Sequence, residues 1–79
     1  MSEYKVARVL DLKGLACPMP IVKMSQEINS VGVGEIIEVH TTDPGSLSDF
    51  PAWAKTMGHE VLESEQGDVS IKIFVKRLK

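Results

Sequence analysis

The apolar residues of this chain switch between two spacings along its length, and that switching limits the folds open to it. Residues two apart mark a strand with one buried face; spacings of three and four mark a helix with an apolar stripe. The cleanest run is VSIKIFVK (69–76), where Val69, Ile71, Ile73 and Val75 alternate with other residues and predict a closing strand. HEVLESEQ (59–66) reads as the strand before it, with Gly67-Asp68 at the hairpin tip. EIIEVHTT (35–42) is a strand with Ile37, Val39 and Thr41 on one face, and YKVARVL (4–10) is a strand rich in β-branched residues.

Two segments carry the helical spacing. CPMPIVKMSQEINSV (17–31) lines up Ile21, Met24, Ile28 and Val31, with Lys23, Gln26 and Glu27 facing away, and Gly32 and Gly34 end it. LSDFPAWAKTM (47–57) lines up Leu47, Phe50, Trp53, Ala54 and Met57, with Asp49 as its expected N-cap and Gly58 as its stop. The DPGS stretch (43–46) before it is a turn. The order strand–helix–strand–helix–strand–strand predicts a two-layer α/β sandwich, with both helices on one face of a four-stranded sheet and right-handed crossovers. Phe74 and Ile36 are expected to point to the other, open face.

A length of 79 residues reads as a single domain, 1–79, whose small core leaves it marginally stable without a staple. One cysteine cannot form an internal disulfide, so a disulfide-framed secreted module is excluded. The start, MSEYKVARVL, has no basic region leading into a long apolar run, and no apolar run approaches the roughly 20 residues of a membrane span. A reducing, cytoplasmic setting without membrane partners is expected. The formal charge of −2 is unevenly spread: residues 1–23 net +2, residues 24–71 net −8, and residues 72–79 net +4. Solvated faces account for most of this; a basic area around the chain ends would suit an acidic partner.

The one cysteine stands in GLACPMPIVK (14–23). With Cys17 as N-cap, Pro18 falls at the first helical position and Pro20 at the third, where a missing N–H costs nothing. Pro18 holds Cys17 extended, just outside the helix, and Gly14 allows the turn that brings the chain there. A helix N-terminus favours an anion, so a thiolate or a persulfide anion at Cys17 is stabilised and its reactive fraction raised. Of the N–H groups nearby, Met19 keeps its own and is expected to be the best single donor. A buried cysteine acting as a small apolar filler is the competing reading.

LDLKGLACPMP resembles the Asp-x-x-Gly-x-x-Cys-Pro-x-Pro pattern of the TusA-like (SirA/YedF) sulfur-carrier proteins. VGVGEIIEV, TTDPGS and DFPAWAKTMGHEV resemble further family segments, in order, over about residues 9 to 76. The resemblance implies a sheet of order 1-2-4-3 with strand 4 antiparallel to the others. It implies that Cys17 carries sulfane sulfur as a persulfide, taken from a cysteine desulfurase or rhodanese-like donor and passed to an acceptor relay protein in tRNA thiolation or sulfur oxidation. Asp11, Gly14, Pro18, Pro20, Glu35, Asp43, Trp53, Gly58 and His59 match the remaining motif positions, most of them architectural. Ala54 stands where some relatives have a second cysteine, which removes an internal resolving disulfide. Ser25 and Ser48 stand where some tRNA-pathway members place arginines, and Lys23 is the nearest base.

The expected chemistry is thiol exchange at Cys17 without cofactor or metal. Lys23 and Asp43 are candidate docking residues; Asp43 follows strand 2 as Cys17 follows strand 1, so both fall at the carboxyl rim, and a turn-stabilising role competes for Asp43. Cys17, His40, His59 and Asp43 lack zinc-ligand spacing, so no metal site is expected. His59, after the Gly58 stop, is expected to cap helix 2. A peroxide-sensing thiol would usually want a resolving cysteine. An RNA-binding or regulatory module using the open sheet face is the alternative; the acidic pI of about 5.6 and the lack of an aromatic row argue against stable nucleic-acid binding.

Overall fold

The computed structural model describes residues 5–16 and 18–79. Strands β1 (Val6–Leu12), β2 (Ile36–Thr41), β3 (Glu60–Gln66) and β4 (Ile71–Lys76) form one sheet of order β1-β2-β4-β3. β1 and β2 run parallel, and β4 runs antiparallel to both its neighbours, β2 and β3. Helices α1 (Met19–Glu27) and α2 (Ser46–Met57) pack on one face, and a 3-10 turn, Ile28–Ser30, extends α1. The expected two-layer architecture and strand order are therefore present.

The core lies between sheet and helices. Leu10, Leu12, Ile37, Val39, Ile71, Ile73 and Val75 come from the strands, and Met24, Ile28, Phe50, Trp53 and Ala54 from the helical layer. The alternation read in strand 2 holds: Ile37, Val39 and Thr41 are fully buried. Burying a side chain of this size is worth about 1.5–3 kcal/mol, which outweighs the weak intrinsic preferences of so short a strand. On α1 the stripe of Met24, Ile28 and Val31 is buried and Ile21 packs against its edge.

Several expectations are corrected. α1 begins at Met19, with Pro18 as N-cap and Pro20 at the second helical position, one step later than the sequence pattern suggests. The Met19 N–H closes a turn onto the Ala16 carbonyl (2.9 Å), and an i to i+4 bond runs from Val22 N–H to the Pro18 carbonyl (3.1 Å). At α2 the N-cap is Gly45, and Asp49 sits inside the first turn, where its charge still favours the positive helix end. Asp43 instead closes the turn: its Oδ1 accepts from Gly45 N–H at 3.1 Å and its carbonyl accepts from Ser46 N–H at 3.0 Å.

Met57, read as part of the apolar stripe, is 49% exposed at the last position of α2. Val69 is 84% exposed rather than part of the inward alternation. The hairpin connection occupies residues 67–70, closed by Gly67 N–H to the Ser70 carbonyl at 2.8 Å, so β4 starts two residues later. Phe74 lies between the inward Ile73 and Val75, on the outer face, yet is fully buried. β4 is a central strand, and Phe74 is flanked there by its register partners Glu38 and Glu63. Ile36 is half-buried on that face.

Candidate functional site: the rim at the carboxyl ends of strands 1 and 2

Because β1 and β2 are parallel, with Leu12 opposite Thr41, the loops that follow them emerge at the same rim. Antiparallel β4 begins there too, Ile71 pairing with Thr41, which adds the hairpin loop 67–70. The rim thus gathers the loop ahead of α1, the turn ahead of α2, and the β3–β4 connection. It holds Gly14, Pro18, Met19, Pro20 and Asp43 as expected, with Lys23 one turn into α1. Cys17 itself lies outside the described residues.

The chain on either side of Cys17 is anchored. Leu15 is half-buried against the core and its N–H donates to the Leu12 carbonyl at 3.3 Å; Pro20 is buried. Gly14 has φ +85°, a left-handed conformation that glycine adopts without a Cβ penalty. Its N–H donates to Thr42 Oγ1 at 2.9 Å, tying this loop to the turn after β2. The sequence pattern did not single out Thr42; its place beside the Asp-Pro turn, where hydroxyls often bond nearby backbone, was the available signal.

Between those anchors the surface is apolar and accessible. Ala16 and Pro18 are exposed, Met19 is 40% exposed and Val22 is 38% exposed, with the exposed ammonium of Lys23 next to them. The Met19 N–H is engaged with Ala16, which corrects its expected role as the free donor for an anion. The turn that closes ahead of the helix consumes it.

Asp43 is partly buried. Its Oδ1 is held by Gly45 N–H, while Oδ2 is buried with no hydrogen-bond partner among the described residues. The neighbouring Thr41 hydroxyl accepts from Asp43 N–H at 3.2 Å and lies 3.3 Å from the Ser46 hydroxyl. This packing accounts for the turn-stabilising role. A shallow cavity of about 200 Å³ adjoins, lined by Thr42, Pro44, Gly67, Asp68 and Val69 among others.

The remaining candidates fall elsewhere. His40 pairs with Glu38 on the outer face of β2. His59 sits past the carboxyl end of α2, where its N–H donates to the Ala54 carbonyl at 2.7 Å, the helix-capping place the sequence suggested. Its ring is 5.5 Å from that of Trp53, and Nδ1 accepts from Leu78 N–H at 3.2 Å. Partial burial, and then the charges of Arg77 and Lys79, hold its pKa below the ordinary histidine value. No group of three or more metal-ligating side chains occurs among the described residues.

Comparison with known proteins places this rim in context. Residues 8–77 match the family model described as Sulfurtransferase TusA. YrkI of Bacillus subtilis, provisionally named a sulfur carrier, is 46% identical over 92% of this chain and 97% of its own length. YrkF of the same organism, also provisionally so named, is 47% identical over 92% of this chain, but the match spans only 40% of that longer protein. The sulfur carrier protein TusA of Allochromatium vinosum is 38% identical over 86% of this chain and 90% of its own length. The crystal structure of a SirA-like protein from Desulfitobacterium hafniense superposes with a TM-score of 0.78 at 20% identity, covering 91% of this chain and 99% of that one, and shows the same fold.

Proposed function

The chain belongs to the TusA sulfurtransferase family, and on that premise we propose that it is a sulfur carrier whose Cys17 holds sulfane sulfur as a persulfide. In the first step the Cys17 thiolate attacks the outer sulfur of a donor persulfide. The donor S–S bond breaks, a Cys17–S–SH persulfide forms, and the donor leaves as a thiolate. In the second step an acceptor cysteine thiolate attacks the outer sulfur of Cys17–S–SH, taking that sulfur and releasing the Cys17 thiolate. Each step exchanges one S–S bond for another, so no external oxidant or reductant enters.

The observation that carries this reading is the family match over 8–77, with the CPMP stretch inside it and an accessible apolar collar on both sides of position 17. Accessibility matters because exchange requires a partner's sulfur to come within bonding distance. The donor is a cysteine desulfurase or a rhodanese-like enzyme, and the acceptor a cysteine of a relay protein. Met19 and Val22 supply apolar contact to such a partner, Lys23 supplies a charge on the α1 side, and Asp43 supplies one across the rim. The chemistry suits a reducing compartment such as the cytoplasm; no helix among the described residues is long and apolar enough to cross a membrane.

The RNA-binding alternative gains no support from the fold. Phe50, Trp53 and Phe74 are all buried, so none of them offers a ring for base stacking. The outer sheet face places Glu38, Glu63 and Glu65 among its lysines.

The test is mass spectrometry after incubation with a cysteine desulfurase and cysteine. The expected result is a gain of one sulfur, about 32 Da, on Cys17, removed by reductant and absent in Cys17→Ala. An unmodified Cys17 in the presence of several competent donors overturns the proposal.

A further inference from the structure

We propose that the end of the sheet opposite the site rim, where Lys5, Lys55, Lys76, Arg77 and Lys79 lie with Leu78, docks an acidic protein segment that also carries apolar side chains. This binding is a property of the folded chain and does not depend on the carrier reading above. The basic residues are scattered in sequence, and the fold collects them. Val6 is in register with Ile36 and Ile36 with Lys76, so Lys5 and Lys76 stand at the same end of the sheet, two strands or about 10 Å apart. α2 finishes at that end too. Its last turn carries Lys55, and the Lys79 side chain lies over the Gly58 that stops it: a Cβ at Gly58 would come within 2.7 Å of Lys79 Cδ.

These charges are not used up inside the fold. Glu35 and Glu60 share this end, but neither forms an ion pair among the described residues: Glu35 Oε1 accepts from Gly32 N–H, and Glu60 is only the register partner of Lys76. Arg8 and Glu27 neutralise one another. The negative end of α2 draws some of this charge, which suits Lys55 and Lys79, but a helix end amounts to about half a charge and does not call for five cations. The positive field also reaches His59, whose pKa is lowered by partial burial and then by Arg77 and Lys79. The site rim has the opposite balance, with Asp11, Asp43, Asp49 and Asp68 against Lys13 and Lys23. An acidic partner is therefore drawn to the far end and away from the site rim.

The surface is built rather than loose. Arg77 exchanges backbone bonds with Gly34 (2.6 Å) and Glu35 (2.9 Å), and its guanidinium donates to the carbonyls of Val31 and Lys79. Leu78 N–H donates to His59 Nδ1 at 3.2 Å. A chain end held this way loses little freedom when a partner binds. Apolar side chains are set among the cations: Leu78 is 46% exposed between Arg77 and Lys79, and Val33 and Met57 are exposed beside Gly34 and Gly58. A phosphodiester backbone would leave those side chains uncovered. An anionic membrane would press its headgroups against Glu35 and Glu60. A protein segment can match the cations, the two carboxylates and the apolar groups together.

The experiment titrates the isotope-labelled full chain with a synthetic peptide of glutamate pairs alternating with leucine, at about 50 mM salt, and follows backbone amide shifts by NMR and peptide fluorescence anisotropy. The amides of Gly34, Arg77 and Leu78 are expected to move and those of Gly14 and Gly45 to stay. The triple variant Lys55→Gln, Lys76→Gln, Lys79→Gln is expected to bind about tenfold more weakly, and Lys13→Gln, Lys23→Gln within about twofold of the wild type. Leu78→Ser is expected to weaken this peptide severalfold while leaving polyglutamate unaffected. Arg77 is left in place because its guanidinium holds the Val31 carbonyl, and the substituted lysines are exposed or half-exposed, so melting within about 4 °C of the wild type is expected. Cys17→Ala is expected to bind like the wild type, so a failure of sulfur loading leaves this result untouched. No binding by the wild type, shifts confined to the Gly14 and Asp43 turns, or a triple variant that binds normally overturns the inference. Tighter binding to polyuridine RNA or to phosphatidylserine vesicles than to the peptide overturns it as well.

Discussion

The indole Nε1–H of Trp53 donates to the Ser25 hydroxyl at 2.9 Å, joining α2 to α1 across the top of the core. Both residues fall in stretches that the reading of the sequence singled out for other reasons. Trp53 belongs to the segment after the Asp-Pro turn, and Ser25 lies on α1 two residues after Lys23. In this chain the small hydroxyl is used inward, as a partner for a large buried ring. Ser25→Ala should therefore cost about 0.5–1.5 kcal/mol, since the indole N–H loses its acceptor. Urea denaturation should show a lower midpoint with an unchanged slope; no change in midpoint would show that water replaces the hydroxyl fully.

Phe50 is fully buried in the helix–sheet core, and its ring meets that of Trp53 edge-on at a centroid distance of 6.4 Å. Phe50→Ala should cost about 3–5 kcal/mol, a large share of the stability of a domain this size. Circular dichroism at 25 °C is expected to show a substantially unfolded population.

His59 makes stability depend on pH. Its folded-state pKa is lowered by partial burial and by Arg77 and Lys79, so the unfolded chain binds the proton first as pH falls. Stability is therefore lost as pH drops from about 6.5 toward the folded pKa, and below that value this group contributes no further change. Protonation of Nδ1 would also remove the acceptor for Leu78 N–H. The denaturant midpoint of the wild type should fall across that window, and His59→Asn should flatten the curve.

Asp43 separates two roles by substitution. Asp43→Asn keeps an oxygen for Gly45 N–H and should leave stability within about 0.5 kcal/mol, whereas Asp43→Ala removes the turn bond and should cost about 1 kcal/mol. If the carboxylate docks a partner, the asparagine variant will load more slowly from a desulfurase despite its intact fold. Equal loading rates would assign Asp43 to the turn alone.

The sequence was most legible where one face of an element is buried and the other is wet. Ile37, Val39 and Thr41 obey that pattern, and Gly58 ends α2 in a left-handed conformation, φ +82°, as its position suggested. Legibility failed where periodicity stops carrying information. Val69 continues the alternation of β4, yet the hairpin loop uses it, because loop closure at Gly67 and Ser70 decides where pairing begins. Phe74 reads as an outward residue and does lie on the outer face, on a central strand between Glu38 and Glu63, but it is fully buried there. The mouth of α1 was misplaced by one residue because two prolines are compatible with either register of the first turn; the Met19–Ala16 bond decides between them. Thr42 sits beside a recognisable turn, but the partner of its hydroxyl, Gly14, was not legible because the two are 28 residues apart.

β4 leaves the site rim and runs to the opposite end of the sheet, where Arg77 exchanges backbone bonds with Gly34 and Glu35 and its guanidinium reaches the Val31 carbonyl. Lys79 ends beside Gly58, at the far end of α2. A tag, surface tether or fused module joined after Lys79 would thus set out roughly a strand length, about 20 Å, from the Gly14 loop. Immobilising the protein by that end should leave the rim that carries Gly14, Thr42 and Asp43 facing outward.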